Sequence, residues 1–199
     1  MKHTFYALFL VGLLSSCADT AETKEETKGE TVHFDKFNWT MNIPDGFEME
    51  SEEEWAKLQQ KGTEAIEETF EQEIEGNAKT IVVFKQDETN YFDANYQSFD
   101  TATDGNYLKS CTDVNQVIYE TFLAQMPDVP IDSSSTTETI DGLVFQKFNI
   151  VIQFPNEMKL TTHMYSRLFG DTELAVNIMY ANEDTGKKMT DAWLKSSFK

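Results

Sequence analysis

The sequence predicts an α+β domain in which helices pack on a mainly antiparallel sheet. Three observations lead to this class. A short strand precedes a long helix, two further strands precede a second helix, and the last third holds four strands before a closing helix. Helices segregated from a run of antiparallel strands are typical of α+β proteins. We expect one domain over residues 32–199, behind a signal peptide at 1–16 and an acidic tether at 17–31.

The spacing of apolar residues predicts a first strand and then a first helix. Apolar residues alternate with polar ones from Phe37 to Ile43, as in a half-buried strand. Ser51 and Glu54 then form a capping box, which predicts a helix over about residues 52–75. The apolar stripe of this helix has three-to-four spacing. It comprises Trp55, Leu58, Ile66, Phe70 and Ile74.

The middle of the chain predicts two strands and a second helix. The β-branched run at 80–84 and the alternating segment at 91–100 favour strands. A turn of Asp, Gly and Asn opens a helix over about residues 106–126, and Pro127 ends it. Cys111 falls on the apolar stripe of this helix. We therefore expect a buried small side chain there rather than a reactive thiol.

The last third predicts an antiparallel meander and a closing helix. The strands cover residues 136–140, 143–154, 159–169 and 174–180. Asp141-Gly142 is a strong hairpin signal between the first two. The closing helix begins at Asp184 or Thr185. The serines at 133–135 follow a proline and favour a loop.

Residues 37–47 (FNWTMNIPDGF) form a strand pattern that ends in Pro-Asp-Gly-Phe ahead of a helix. This motif resembles the usual opening of the PsbP-like superfamily, which includes DcrB-like lipoproteins. The resemblance covers most of residues 33–198. It implies an α/β/α sandwich that mostly acts by binding other proteins. It carries over no catalytic residues, because the superfamily has none in common.

The N-terminus resembles the signal peptide of a bacterial lipoprotein. As a helix, the apolar run at 5–14 would rise only about 15 Å, roughly half a bilayer core. The run ends in Leu14-Ser15-Ser16-Cys17, which resembles the lipobox of lipoprotein precursors. We therefore expect Cys17 to be acylated and to anchor the protein in the lipid bilayer. The alternative is an ordinary signal peptide followed by a chance cysteine.

Residues 18–31 are expected to hold the domain away from the lipid. They contain no aromatic and no large aliphatic side chain, so they cannot bury apolar surface. In the sorting rule known for some lipoproteins, Asp after the lipidated Cys retains the protein at the inner membrane. Ala18 stands there, which resembles the outer-membrane pattern. We therefore expect a lipid-anchored protein of the cell envelope on the outer membrane, at its periplasmic or surface face.

The charge of the chain excludes some partners. It carries 35 acidic and 16 basic residues, a net charge of −19. We expect no nucleic-acid partner, because phosphate binding needs a basic face. A phospholipid surface would repel the domain as well, so the lipid anchor must hold it there. Cys111 is the only cysteine besides Cys17, which leaves no internal disulfide.

No signature of catalysis or metal binding stands out. The nucleophile motif G-x-S-x-G is absent, and His33 and His163 lie far apart in the sequence. We therefore expect neither an enzyme nor a metal or cofactor site. The spacing of Asp100 and Asp104 is faintly calcium-like, but a helix-capping turn explains it better.

One group of polar residues is a candidate binding site. His163, Tyr165 and Arg167 share a face of an extended strand, and Arg167 is the only arginine in the chain. Arginine suits bidentate capture of a carboxylate, so the hypothesis is a site for a small anion or a peptide carboxylate. The alternatives are an internal Arg–Glu pair and a polar side of the sheet at its edge.

Two functions follow from these observations. The first is a non-catalytic protein-binding module of the cell envelope with an envelope protein as its partner. The second is a small-ligand carrier or sensor with a pocket between sheet and helices. An exposed apolar patch would favour the first. A deep pocket with convergent polar groups would favour the second.

Overall fold

The computed structural model describes residues 30–71 and 77–199. The signal peptide, Cys17 and nearly all of the tether lie outside these residues. In chain order the elements are β1 (Thr31–Phe34), a 3-10 turn (Asp35–Phe37), β2 (Trp39–Asn42), β3 (Glu48–Met49), α1 (Glu52–Phe70), β4 (Lys79–Asp87), β5 (Asn90–Ser98), α2 (Tyr107–Gln125), β6 (Ile131–Ile140), β7 (Leu143–Gln153), β8 (Lys159–Phe169), β9 (Thr172–Tyr180), α3 (Glu183–Leu194) and β10 (Ser197–Phe198).

The strands in the described part of the chain form two sheets. The larger has seven strands in the order β3-β4-β5-β9-β8-β7-β6, and the smaller has the order β1-β2-β10. Every pair of neighbours is antiparallel. The predicted α+β class is therefore confirmed, and so is the four-stranded meander of β6 to β9.

Each face of the larger sheet packs on its own hydrophobic core. One core joins that sheet to α1 and α2 through Trp55, Ile66, Ile118 and Phe122. The other joins it to α3 and the smaller sheet. Side chains of β9 alternate between the two cores, because successive residues of a strand point to opposite faces. The result is a sandwich with helices on both sides of the large sheet. None of the described helices is long and apolar enough to cross a membrane.

The core beneath α3 centres on Trp193, which is fully buried. The centroid of its ring lies 5.2 Å from that of Phe145, 5.7 Å from that of Tyr165 and 5.9 Å from that of Trp39. Earlier in α3, a Cβ added to Gly186 would lie 2.3 Å from Cγ of Tyr180. Glycine at this position therefore lets the helix backbone lie directly on the tyrosine ring.

The sequence-based assignments differ from the structure at several places. The short strands β1, β3 and β10 were not predicted, and Phe37, expected in the first strand, lies in the 3-10 turn. The serines at 133–135, expected in a loop, belong to β6 and pair with β7. They lie on an edge strand whose two sides are both exposed, so no apolar alternation marked them as a strand. Thr31, assigned to the tether, begins β1. Helix α1 ends at Phe70, and Glu71 follows with a left-handed backbone (φ 51°). Ile74, from its predicted stripe, lies outside the described residues.

Candidate functional site

The face of the large sheet beneath α1 and α2 changes from apolar to polar along β5 and β9. Asp93, Asn95 and Gln97 alternate along β5 and so share one face. In the register of the two strands, Asp93 lies opposite Asn177 and Gln97 lies opposite Glu173. All five side chains are buried. Two acids and three amides thus lie under a helix, where a sheet usually presents apolar side chains.

Asp93 is completely buried and only half satisfied. Its Oδ1 accepts hydrogen bonds from Nδ2 of Asn95 at 3.1 Å and from Nδ2 of Asn177 at 3.0 Å. Its Oδ2 has no hydrogen-bond partner among the residues that the structure describes. Burial raises the pKa of Asp93 to about 7, although the two amide hydrogen bonds lower it. The carboxyl group can therefore change its charge near neutral pH.

Glu173 is buried beside the start of α2. Its Oε2 accepts a hydrogen bond from Nε2 of Gln97 at 2.8 Å, and its Oε1 accepts one from the hydroxyl of Tyr107 at 3.1 Å. Burial raises the pKa of Glu173 to about 7, against these two hydrogen bonds. Burial also raises the pKa of Tyr107, so its hydroxyl remains a donor.

Local sequence fixes the position of Tyr107. It is the first residue of α2, and Asn106 caps the helix by accepting a hydrogen bond from the backbone N–H of Lys109 at 2.9 Å. An N-cap of this kind satisfies one of the free N–H groups at a helix start. The helix therefore begins where the tyrosine hydroxyl can reach the carboxylate of Glu173 on β9.

A groove lies between α2 and this polar part of the sheet. Its cavity is small, about 50 Å³, and opens into a wider space of about 590 Å³ that includes solvent. Its sheet side includes Asn95, Gln97, Ser166, Glu173 and Asn177, and its helix side includes Cys111, Val114 and Asn115. None of the described residues that line the groove is Lys, Arg or His. The groove thus mixes polar side chains with apolar ones such as Val114, Phe148 and Met164, and the only carboxyl among its described lining residues is that of Glu173.

Cys111 lies half-buried in the wall of the groove. Its Sγ is 3.6 Å from Oγ of Ser166. Burial raises the pKa of the thiol, so the neutral form dominates at neutral pH. Because the thiolate is the nucleophile, this environment suits a packed or hydrogen-bonding thiol better than a reactive one.

The side chains of His163 and Tyr165 point to the other face of the sheet, although Tyr165 itself borders the groove. Nδ1 of His163 is 2.6 Å from Oδ1 of Asn149, and its Nε2 is 3.1 Å from the hydroxyl of Tyr180. Burial lowers the pKa of His163 to about 4, and the positive charge of Lys147 lowers it too. The imidazole is thus neutral at neutral pH. Tyr165 belongs to the aromatic core, and its ring lies 5.1 Å below Nζ of Lys147.

Arg167 contacts the backbone of the neighbouring strand. Its Nη1 donates a hydrogen bond to the carbonyl oxygen of Val144 at 2.5 Å, and the guanidinium lies 5.3 Å from the ring centroid of Phe169. The pairing of β7 with β8 ends at Gln146 and Ser166. Arg167 therefore donates to a backbone carbonyl that lies just beyond the paired residues. His163, Tyr165 and Arg167 do share a face, but the guanidinium does not join the other two. An anion site there stays a prediction.

The loop before α2 satisfies its own carboxylates. Oδ2 of Asp104 accepts a hydrogen bond from the backbone N–H of Asp100 at 2.7 Å, and Oδ1 of Asp100 accepts one from that of Ala102 at 2.9 Å. These two carboxylates bond within the loop, and the residue that caps α2 is Asn106. The described residues contain no group of three His, Cys, Asp or Glu side chains placed to hold a metal ion.

Sequence reasoning missed the polar face of the groove. The alternation at 91–100 predicts a strand with one side formed by Phe92, Ala94, Tyr96 and Ser98. The opposite side carries Asp93, Asn95 and Gln97, which the pattern alone would assign to solvent. One signal was available in the sequence. The strand alternates over nine residues and a helix follows soon after it, so a helix could cover the polar side. Nothing local indicated that α2 covers its polar side.

Comparisons with known proteins identify the fold. No family model and no curated protein sequence matches the chain. The solution structure of cyanobacterial PsbP (CyanoP) from Synechocystis sp. PCC 6803 superposes with a TM-score of 0.51 at 12% identity, over 94% of this chain and 100% of that one. A crystal structure from Bacteroides thetaiotaomicron VPI-5482 gives a TM-score of 0.44 at 8% identity, over 81% of this chain and 45% of that one. The chain has the PsbP-like fold, as the motif at 37–47 implied.

The two buried acids should make stability depend on pH. A carboxyl whose pKa is raised by folding stabilises the folded state at low pH, and this contribution is lost as the pH rises through the folded pKa. We expect the stability of the wild type, relative to Asp93→Asn or Glu173→Gln, to fall between about pH 4 and pH 8. Urea unfolding at several pH values measures the difference. A difference that stays constant with pH would contradict the assignment.

Arg167 should contribute to stability through its bond to the carbonyl of Val144. Arg167→Met keeps the aliphatic stem but leaves that carbonyl without its charged donor. We expect the free energy of unfolding to fall by about 1–2 kcal/mol, measured by urea denaturation.

The same variant tests the anion hypothesis. If the wild type binds acetate or a peptide C-terminus and the variant does not, Arg167 is a binding residue.

Proposed function

We propose that this chain is a non-catalytic binding protein that holds a small, positively charged ligand in the groove between α2 and the sheet. The observation that carries the proposal is the chemistry of the groove. Its polar face combines buried carboxyl and amide groups, and none of its described lining residues is basic. Buried polar groups that converge on a pocket are the usual mark of a ligand site.

The amide groups of the groove can accept hydrogen bonds from a ligand. The NH₂ groups of Asn95 and Asn177 both donate to Asp93, and that of Gln97 donates to Glu173. Each of these three side chains also has a carbonyl oxygen, which can accept a hydrogen bond from a ligand. A ligand that supplies N–H donors, such as an amine or a guanidinium, fits this arrangement better than an anion.

The charge of Glu173 fits the same ligand class. An opposite charge close to a carboxylate favours its ionised form. A bound ammonium or guanidinium would therefore lower the pKa of Glu173 from about 7 and release a proton. Binding should weaken as the pH falls through that value, because the ligand must then compete with the proton.

The fold supports a binding role rather than catalysis. The motif at 37–47 resembles a superfamily that mostly acts by binding, and this chain has the same fold as that superfamily.

An envelope protein partner is a second candidate function. The large apolar side chains most exposed in the described part of the chain are scattered, namely Met49, Leu108, Leu123, Val144 and Leu194. The feature that favours a protein partner is the exposed edge of the large sheet.

The lipid anchor at Cys17 is part of the proposal. Its support is the sequence alone: a short apolar run, the Leu-Ser-Ser-Cys motif and a polar segment before the domain. Stable membrane binding takes two or more acyl chains, which a lipoprotein of the usual kind carries. The proposal places the domain at the outer membrane, at its periplasmic or surface face.

Glu173 should govern ligand affinity. The probes are putrescine and agmatine, with succinate as the anionic counterpart, measured by calorimetry at neutral pH. We expect Glu173→Gln to weaken amine binding by about tenfold or more, since it removes the charge partner and keeps the shape. The matched control is Glu120→Gln, which makes the same change on the exposed side of α2.

Three outcomes of this experiment count against the groove. Neither amine may bind the wild type, succinate may bind more tightly than the amines, or both variants may lose affinity equally. Melting curves of the two variants show whether each is folded. Native mass spectrometry of the protein purified from its host is a direct search for a retained amine.

Cys17 should decide whether the protein is bound to membranes. We expect Cys17→Ala to move the protein from the membrane fraction to the soluble fraction and to abolish labelling by a palmitate analogue, because the thiol that carries lipid is gone. Fractionation and in-gel fluorescence measure the two effects, and Cys111→Ala is the control. If Cys17→Ala stays with the membrane and remains labelled, the anchor is elsewhere.

A further inference from the structure

Strand β6 forms a long exposed edge of the seven-stranded sheet. In the part of the chain that the structure describes, β6 pairs only with β7, through ten consecutive residue pairs. Residues 132–137 are all exposed. At the other edge lies β3, which is only two residues long. A long edge strand presents a row of backbone N–H and C=O groups that can pair with another chain.

The hairpin turn determines which of these groups point outward. Asp141 and Gly142 have φ angles of 47° and 80°, as in a two-residue type I′ turn. Such a turn is closed by a hydrogen-bonded pair, here Ile140 and Leu143, and bonded pairs then alternate along the ladder. The backbone groups of Ser133, Ser135, Thr137 and Thr139 therefore point away from β7.

A side-chain contact agrees with this assignment. Ile131 has the same parity as these four residues, and its carbonyl oxygen accepts a hydrogen bond from the hydroxyl of Tyr119 on α2 at 3.2 Å. The helix therefore covers the outward carbonyl at the start of β6. The open edge runs from Ser133 to Thr139, about 20 Å at 3.4 Å per residue.

This edge lacks most of the features that usually protect edge strands. Residues 131–140 contain no proline, lysine or arginine, and their pairing with β7 shows no register shift. Proline, lysine and bulges are the common means of preventing pairing at an edge. Glu138 lies 3.5 Å from Nζ of Lys147 on β7, whereas Asp132 is exposed. The two charges that the strand carries, on Asp132 and Glu138, are both negative. They share one face of the strand, six residues apart.

We propose that β6 binds an extended, lysine- or arginine-bearing segment of a partner protein as an eighth strand of the sheet. The backbone of the segment would bond to the outward groups of β6, and its basic side chains would lie near Asp132 and Glu138. Adding a strand in this way gives affinity through the backbone and specificity through alternate side chains. The inference specifies the second candidate function and does not depend on the groove.

Charge argues against a second copy of the chain as the occupant. Two copies carry a net charge of −19 each. In the antiparallel register centred on Ser135, Asp132 of each copy would face Glu138 of the other, and like charges directly opposite are destabilising. A basic segment would instead be attracted both by the net charge of the chain and by Asp132 and Glu138.

The test uses the full-length protein and a synthetic peptide. The probe is a fluorescent nine-residue peptide with two lysines six positions apart and with valine and threonine alternating between them. We expect measurable binding by fluorescence anisotropy. The affinity should fall by about tenfold or more when both lysines are replaced by glutamate, and again when alternate backbone amides are N-methylated.

The protein variants isolate the backbone of β6. Ser135→Pro removes an outward N–H and no bond to β7, which an edge strand tolerates. We expect it to weaken peptide binding by about tenfold, while Ser135→Ala, which keeps the N–H, binds within about twofold of the wild type. Amine binding in the groove should be unchanged. Melting curves check the fold, and the N-methylated peptide tests the same bonds if Ser135→Pro does not fold.

Two outcomes would overturn the proposal. One is peptide binding that is absent, or that is unaffected by N-methylation and by the change of lysine to glutamate. The other is a dimer of the wild type in sedimentation that Ser135→Pro disrupts, because the occupant would then be a second copy of this chain.

Discussion

The pairing of β5 with β9 is the interaction on which the rest of the structure depends. It joins two segments far apart in sequence through eight consecutive residue pairs, from Tyr91 opposite Met179 to Ser98 opposite Thr172. Without it the first hairpin and the C-terminal meander would be separate sheets. The same register places Asp93 beside Asn177 and Gln97 beside Glu173. One strand pairing therefore builds both the hydrophobic cores and the polar face of the groove.

The sequence predicts the features of this fold that local chemistry determines. Ser51 caps α1 and Asp141-Gly142 turns the hairpin, because a cap or a tight turn depends on only a few neighbouring residues. The fold class followed from the order of such elements. The groove could not be predicted, because it depends on a register between distant strands and on which side of β5 a helix covers. The exposed strand β6 lacks an apolar face and left no periodic signal.

The two faces of the large sheet show how one strand can serve different purposes. On β8, Tyr165 packs into the aromatic core around Trp193, whereas Ser166 faces the groove. The aromatic side holds α3 in place with large buried rings. The other side is apolar only at one end, so α2 rests partly on polar side chains. The larger hydrophobic core thus lies on the α3 side, and the polar side chains lie on part of the α2 side.

The smaller sheet determines how force enters the domain. Both β1 and β10 pair with β2, so the first and last strands of the described chain flank the same neighbour. A pull on the residues before Thr31 would act first on β1, an edge strand with four residue pairs. This strand can peel away while the seven-stranded sheet stays closed, because β1 takes no part in it. Under such a pull the small sheet would open before the groove is disturbed.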